Sequence, residues 1–315
     1  MDVRQLRHFV AVADTLHFGK AAERLCMTQP PLSQSILALE RELGASLFAR
    51  TKRRVALTTL GAHWLPEVEA ALARLDALKG LAQSLRDGRS GRLALSFVSI
   101  ADYNVLPELV REFSARWPLV DLDLQEATSD TSIPALLDGK VNVGIIIPSA
   151  TPLPAALDYM PLLTEPLVAA VPATWLSDNR VELTGGKLAA QSACHLPLIL
   201  FPRQLAPAFH DLITRYVLRQ DPGSQVVQQA IQMQTIISLV SAGVGIALVP
   251  ASLRNMARSG VRYVDLQDAP MLETGIAWRR DDESPALRHL LTIARKTAPP
   301  DALDSLTPSQ DADQA

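Results

Sequence analysis

The apolar residues of this chain change period near residue 92, and one regular architecture cannot satisfy both patterns. Before that point they recur at three- and four-residue spacings, the signature of amphipathic helices. Beyond it, short apolar runs at residues 92–98, 121–126, 141–147, 159–163, 166–171, 197–201 and 245–249 read as strands. Helical stretches at 105–117, 131–138, 207–219 and 228–242 lie between them. Strands alternating with helices indicate parallel sheets. About 200 residues of this kind are enough for two small α/β lobes. The expected fold is therefore an α/β body with an all-α, winged head. A hydrophobic fraction of 48% with 20% charged residues excludes wholesale disorder. Residues 297–315 carry four aspartates, three prolines and no apolar period, so a disordered tail is expected there.

No charged residue occurs between Asp221 and Arg254, a length that could span a bilayer. Five glutamines from Gln225 to Gln234 and the breakers Gly243, Gly245 and Pro250 argue instead for a helix ending near Ala242. Gly243 would be its left-handed cap, followed by a buried strand at 245–249. No membrane partner is expected. The N-terminus lacks a basic segment followed by an apolar one, and Cys26 and Cys194 cannot form a disulfide framework. A reducing cytoplasm is expected.

The head reads as three short helices. Leu6, Phe9, Val10 and Ala13 define the first, residues 3–16; residues 19–25 form the second. Thr28-Gln29-Pro30-Pro31 opens the third, with Thr28 able to cap it and prolines tolerated in a first turn. Leu32, Ile36, Leu39 and Leu43 lie on its inner face, and Gly44 stops it. Two helices joined by so short a turn form a helix-turn-helix, with Cys26 expected to be buried in it. The opposite face carries Gln34, Leu37, Ala38 and Arg41, with Ser33 at its edge. Such a face suits adenine edges and thymine methyls in a major groove, although by itself it equally suits solvent. Residues 47–58 resolve the choice. They read as two strands around a basic tip, Arg50, Lys52, Arg53 and Arg54, placed to grip phosphate or enter a minor groove. Charge supports this division: residues 1–92 carry a net +5 and the remainder a net −8. A helix at 59–85, with Pro66 inside it, is apolar on two sides, because Leu65, Val68, Leu72 and Leu75 repeat at 3, 4, 3 and Leu78, Ala82 and Leu85 continue with a shift. It either packs within the head or forms a seam with another copy. Residues 87–91 then read as a hinge.

Catalytic signatures are missing. Gly243-Val244-Gly245 follows a helix and precedes a strand, the reverse of a dinucleotide fingerprint. The chain contains no Walker motif, no HExxH and no GxSxG, and adjacent Cys194-His195 lacks further ligands in sequence. No catalytic residue, metal or cofactor is expected. A binding site is. In α/β lobes, ligands bind beyond the carboxyl ends of strands, where helix N-termini offer N–H groups. Ser99, Ile100 and Ala101 follow the first strand, and Thr128 and Ser129 the second. Phe201 and Pro202 follow a later strand, and Met233 lies on the charge-free helix. Each hydroxyl alone is as readily an ordinary cap.

The segments LRHFVAVADTLHFGKAAERLCMTQPPLSQSILALERELGASLFART and LTTLG resemble the head of LysR-type transcriptional regulators. RLALSF and LVSAGVGIALVPAS extend the resemblance to about residue 295. It implies a winged helix-turn-helix at 1–58, a dimerising linker helix and hinge at 59–91, and an effector domain at 92–296 like type 2 periplasmic binding proteins. Lobe I would comprise about 92–163 and 268–296, and lobe II about 164–267. It further implies DNA contacts from Thr28, Gln29, Pro30, Pro31, Ser33 and Gln34. The implied partners are double-stranded operator DNA, a small-molecule effector, further copies of the chain as a homodimer or homotetramer, and RNA polymerase. QPPLS and LVPAS are most similar to the benzoate- and muconate-responsive branch. Three positions depart from that pattern. Gly19 stands where Ser or Thr usually caps the second helix, Gln34 where arginine is common, and Ile145-Ile146-Ile147-Pro148 presents no basic residue. The expected effector is a small organic acid, aromatic or a ring-cleavage product, with a neutral or monocarboxylate ligand favoured over a dianion. The alternatives are an effector-independent DNA-binding protein, an exported solute-binding protein and a metabolic enzyme of organic acids.

Overall fold

A computed structural model describes residues 1–50, 54–149, 151–218 and 225–297. Two compact units divide the chain, 1–85 and 86 onward. The expected tail at 297–315 falls, beyond Thr297, outside the described residues.

The first unit contains α1 (Val3–Thr15), α2 (Phe18–Arg24), α3 (Gln29–Leu43), β1 (Phe48–Arg50), β2 (Val55–Leu57) and α4 (Thr59–Arg86), whose last residue belongs to the second unit. Asp2 and Gln5 close a capping box on α1. The cap of α2 is His17, not residue 19: its Nδ1 accepts from Gly19 N at 3.1 Å and Lys20 N at 3.2 Å. The glycine departure thus costs α2 no cap. Thr28 occupies the N-cap position of α3 but makes no side-chain cap bond, contrary to expectation. Leu32, Ile36 and Leu39 are fully buried, and Gly44 ends the helix at φ 68°. Leu43 is 38% exposed; Glu40 takes the inward position instead.

Glu40 is the polar keystone of this unit. Its Oε1 accepts from Leu47 N at 2.8 Å and Phe48 N at 3.1 Å, and its Oε2 meets Arg50 at 3.1 Å. The same guanidinium lies 4.6 Å from the Phe18 ring centre. The start of the hairpin is thereby fixed to α3, and β1 and β2 pair antiparallel from Phe48↔Leu57 to Arg50↔Val55. Phe9 packs 5.5 Å from Phe48 and 5.1 Å from Trp64 between ring centres. Val68 and Leu72 of α4 complete this core, whereas Leu75, Leu78, Leu81 and Leu85 remain 41–55% exposed. The first half of α4 therefore packs within the head, and the head leaves the apolar residues of the second half exposed. Cys26 is exposed, contrary to expectation, in a left-handed turn at φ 52°.

The second unit contains, in chain order, β3 (Ser90–Phe97), α5 (Val105–Arg116), β4 (Leu119–Glu126), α6 (Ser129–Leu137), β5 (Val143–Ile146), β6 (Leu157–Pro172), α7 (Ala173–Ser177), α8 (Ala190–Cys194), β7 (Leu198–Leu200), α9 (Pro207–Leu218), β8 (Val226–Gln229), α10 (Met233–Ser241), β9 (Ala247–Pro250), β10 (Val261–Asp265), β11 (Met271–Arg279) and α11 (Pro285–Thr297). The sheets are mixed rather than parallel. β3 runs parallel to β4 and β5, and β7 to β8. β11 runs antiparallel to β5 and β6, and β6 antiparallel to β9 and β10.

Two expected strands are one. β6 runs 16 residues through Thr164, Glu165 and Pro166. Its first part pairs with β11 and its last six residues with β9 and β10, so one strand serves both lobes. Buried Glu165 lies at the changeover and accepts from Asn104 Nδ2 at 3.0 Å, Ser252 N at 2.6 Å and Ser252 Oγ at 3.0 Å. The helix expected from residue 228 begins at Met233, because residues 226–229 pair with β7 as β8. Gly243 does take the left-handed cap, at φ 78°.

The expected hinge is tied down. Ser90 and Gly91 already pair with Leu119 and Val120. Gly88, at φ 66°, lies so close to Pro285 and Ala286 that a Cβ would sit 2.7 Å from their backbone. His289 Nε2 is 3.0 Å from the Asp87 carbonyl, and its ring stacks on Trp117 at 4.4 Å.

Glu40→Ala strips an acceptor from two backbone N–H groups in a buried corner. It should cost about 2–4 kcal/mol, the range for lost charge-assisted bonds that leave buried donors unpaired. Urea unfolding of residues 1–85 within the full chain, followed through Trp64 fluorescence, checks this.

Candidate functional site

On the head, the outer side of α3 exposes Gln29, Pro30, Pro31, Gln34, Leu37 and Arg41, with Ser33 and Ala38 half-buried beside them. Thr28 is exposed at its start. The opposite side of the helix is braced by His8, whose Nδ1 lies 2.8 Å from Ser35 Oγ. Burial lowers the pKa of His8, which favours the neutral ring at that contact. Arg54 is exposed at the foot of the wing. Arg50 is largely committed to Glu40 and Phe18. Lys52 and Arg53 lie outside the described residues. The helix face and the wing base thus present amides, apolar spots and cations, the chemistry a DNA groove requires.

In the second unit, the carboxyl ends of β3, β4 and β7 and the residue after β5 converge on a cavity of about 270 Å³. Ser99, Ile100, Thr128, Ser129, Phe201 and Met233 line it, as expected from sequence. Ala101 and Pro202 do not: Ala101 is fully buried in the single turn Ser99–Tyr103, and half-buried Pro202 is absent from the wall. Leu205, Ala206, Phe209 and Ile231 also form the wall and were not anticipated. The first three follow β7 at helical spacing, a signal for one apolar face but not for what that face covers.

Two helices begin at this cavity. Thr128–Ser129 open α6 and Gln232–Met233 open α10, and neither Thr128 nor Gln232 spends its side chain on a cap. First-turn N–H groups have no partner within their helix, so both ends offer donors. Ser129 Oγ accepts from Ile147 N at 3.0 Å, which fixes the hydroxyl and leaves its proton available. Phe201 and Phe209 form an edge-on pair at 6.4 Å, and Met233 is 1% exposed beneath them. Arg203 is not a lining residue; Asp211 holds it at 2.7 and 2.9 Å. Glu126 is the only charged residue in the wall among the described residues. Asn255 Nδ2 donates to the Tyr103 carbonyl at 3.2 Å. Among the described residues there is no cluster of three potential metal ligands, and no helix long and apolar enough to cross a membrane.

A winged helix-turn-helix joined to a two-lobed ligand-binding body defines a ligand-responsive DNA-binding protein. Residues 3–62 match the family described as bacterial regulatory helix-turn-helix protein, lysR family, and residues 86–299 match the LysR substrate binding domain. The chain belongs to the LysR family of transcriptional regulators. It is 58% identical over 294 residues to the HTH-type transcriptional regulator IlvR of Caulobacter vibrioides, spanning 93% of this chain and 97% of that one. The fold is that of CbnR, solved in complex with its target DNA, at a TM-score of 0.74 and 23% identity over 95% of this chain and 100% of that one. Full-length BenM matches at a TM-score of 0.56 and 27% identity over 98% of this chain and 100% of that one. These relatives are regulators, not enzymes.

Ser129→Ala removes the acceptor of the Ile147 N–H at a strand end that is 9% exposed. Stability should fall by about 1–3 kcal/mol, the cost of a buried donor left unpaired, read as a lower midpoint in thermal unfolding.

Proposed function

We propose that this regulator acts in the cytoplasm and switches transcription in response to a small organic acid held between its lobes. The single observation that carries the reading is the cavity itself. Two helix N-termini and a fixed hydroxyl suit a carboxylate, and the apolar wall suits its body. The volume of about 270 Å³ lies at the small end of ligand pockets, which favours a compact metabolite. With no Lys or Arg in the wall, one carboxylate is met more readily than two. Because β6 and Glu165 join the lobes, a ligand touching both biases their closure, and a population shift is the natural output.

DNA contacts are assigned to Thr28, Gln29, Pro30, Pro31, Ser33 and Gln34 on α3, and to Arg50, Lys52, Arg53 and Arg54 on the wing. Of these, Arg50 contributes mainly by holding the wing to α3. Assembly into dimers or tetramers is assigned to the exposed half of α4, and RNA polymerase is the expected downstream partner. A seam there would cover Leu75, Leu78, Leu81 and Leu85, which one head leaves to water.

Titration with benzoate, cis,cis-muconate, salicylate and short aliphatic acids, read by melting temperature, tests the ligand class. A ligand at 100 times its Kd should add about 2.7 kcal/mol to stability if it binds only the folded form. No shift with any of these acids, nor with any amino acid, would contradict the class. On genomic DNA fragments selected by the full-length protein, Gln34→Ala should reduce discrimination by about 1–3 kcal/mol. Arg54→Ala should weaken all sequences alike and flatten the salt slope by about 0.9. Leu78→Asp should reduce assembly in sedimentation at unchanged helix content, and wild-type assembly would remove α4 from the seam.

A further inference from the structure

The charge around the cavity is one-sided. Glu126, the last residue of β4, is exposed and lines the wall. Asp130 sits in the first turn of α6 four residues later. Asp102, on the turn after β3, has its pKa raised by burial and then by the charge of Glu126. Other carboxylates nearby are neutralised: Asp123 of the same strand meets Arg92 at 2.6 Å, and Asp211 is gripped by Arg203. Glu126 has no cation within ion-pair reach among the described residues. A simple carboxylate approaching this mouth meets the charge of Glu126 with no cation in the wall among the described residues to offset it, while the two helix N-termini and Ser129 still call for an anion.

One ligand chemistry satisfies both halves. We infer that the effector is a zwitterion, a small apolar α-amino acid, whose ammonium group is met by Glu126 and whose carboxylate is met by the first turns of α6 and α10. Glu126 and Ser129 are three residues apart on one turn of chain, so the two charges that an α-amino acid carries on a single carbon address a single loop. The side chain then lies against Ile100, Ile147, Phe209 and Met233. This inference rests on the reading of the cavity as an organic-acid site and narrows it.

The test is calorimetric titration of the full-length protein with L-valine, L-leucine and L-phenylalanine. Each is compared with its deaminated acid (3-methylbutanoate, 4-methylpentanoate, 3-phenylpropanoate) and with its decarboxylated amine. At least one amino acid should bind tenfold or more tightly than both of its single-charge analogues. Glu126→Gln should lower that amino acid's affinity at least tenfold and leave the deaminated acid within about twofold. Because Glu126 is exposed and unpaired, the variant should keep the wild-type melting temperature. A deaminated acid that binds as tightly as its amino acid overturns the inference and leaves the organic-acid reading standing. A Glu126→Gln protein that keeps the full preference overturns the role of Glu126. Binding of none of the nine compounds, with DNA binding intact, overturns the inference. That outcome is separate from failure of the broader reading, which the unrelated acids benzoate, cis,cis-muconate and salicylate test independently.

Discussion

The ligand-binding half of this molecule depends on one strand belonging to two sheets. β6 gives its first residues to β11 and its last to β9 and β10, and the chain crosses back between β10 and β11, where Leu167 N donates to the Pro270 carbonyl at 2.9 Å. Glu165 stands at the changeover within β6. A buried carboxylate is tolerable only with its lone pairs satisfied, and Asn104 and Ser252 satisfy them from the two sides. The cavity is walled by elements of both lobes, and Asn255 Nδ2 donates to the Tyr103 carbonyl from one lobe to the other. In the proposed switch, a ligand seated there would change the balance of contacts between the two lobes, the physical requirement for ligand-driven switching.

The head depends on a comparable buried acid. Glu40 links α3 to the start of the wing by accepting two backbone N–H groups and Arg50. The orientation of the hairpin relative to the outer face of α3 is therefore set by hydrogen bonds rather than by loop preference. This arrangement also explains why Arg50, first in the basic run, is committed inward.

Much of this was legible in the sequence. The spacing of Leu32, Ile36 and Leu39 reported the inner face of α3, and Gly44 and Gly243 reported helix ends, because those signals are local. Ser99, Thr128, Ser129 and Met233 line the cavity; in sequence each alone reads equally well as a cap or a core residue, and only their recurrence after several strand ends points to a site. What was missed depends on tertiary contact. Glu40 looks like a solvated helix residue until the wing folds over it. Thr164-Glu165-Pro166 looks like a break between strands, and only the partners β11, β9 and β10 carry the strand through. Gly19 looked like a missing cap because the imidazole of His17, two residues earlier, is an unusual acceptor for that task. Leu205, Ala206 and Phe209 announced an apolar face, but nothing local says that this face closes a cavity.

In the proposed switch, one ligand bridges the two lobes by engaging the N-termini of α6 and α10 together. Hydrogen–deuterium exchange on the full-length protein, with and without the tightest-binding acid, tests it most directly. The first-turn amides of both helices should gain protection together, accompanied by the residues of β6 around Glu165. Protection confined to one helix, or confined to surfaces away from the cavity, would contradict it.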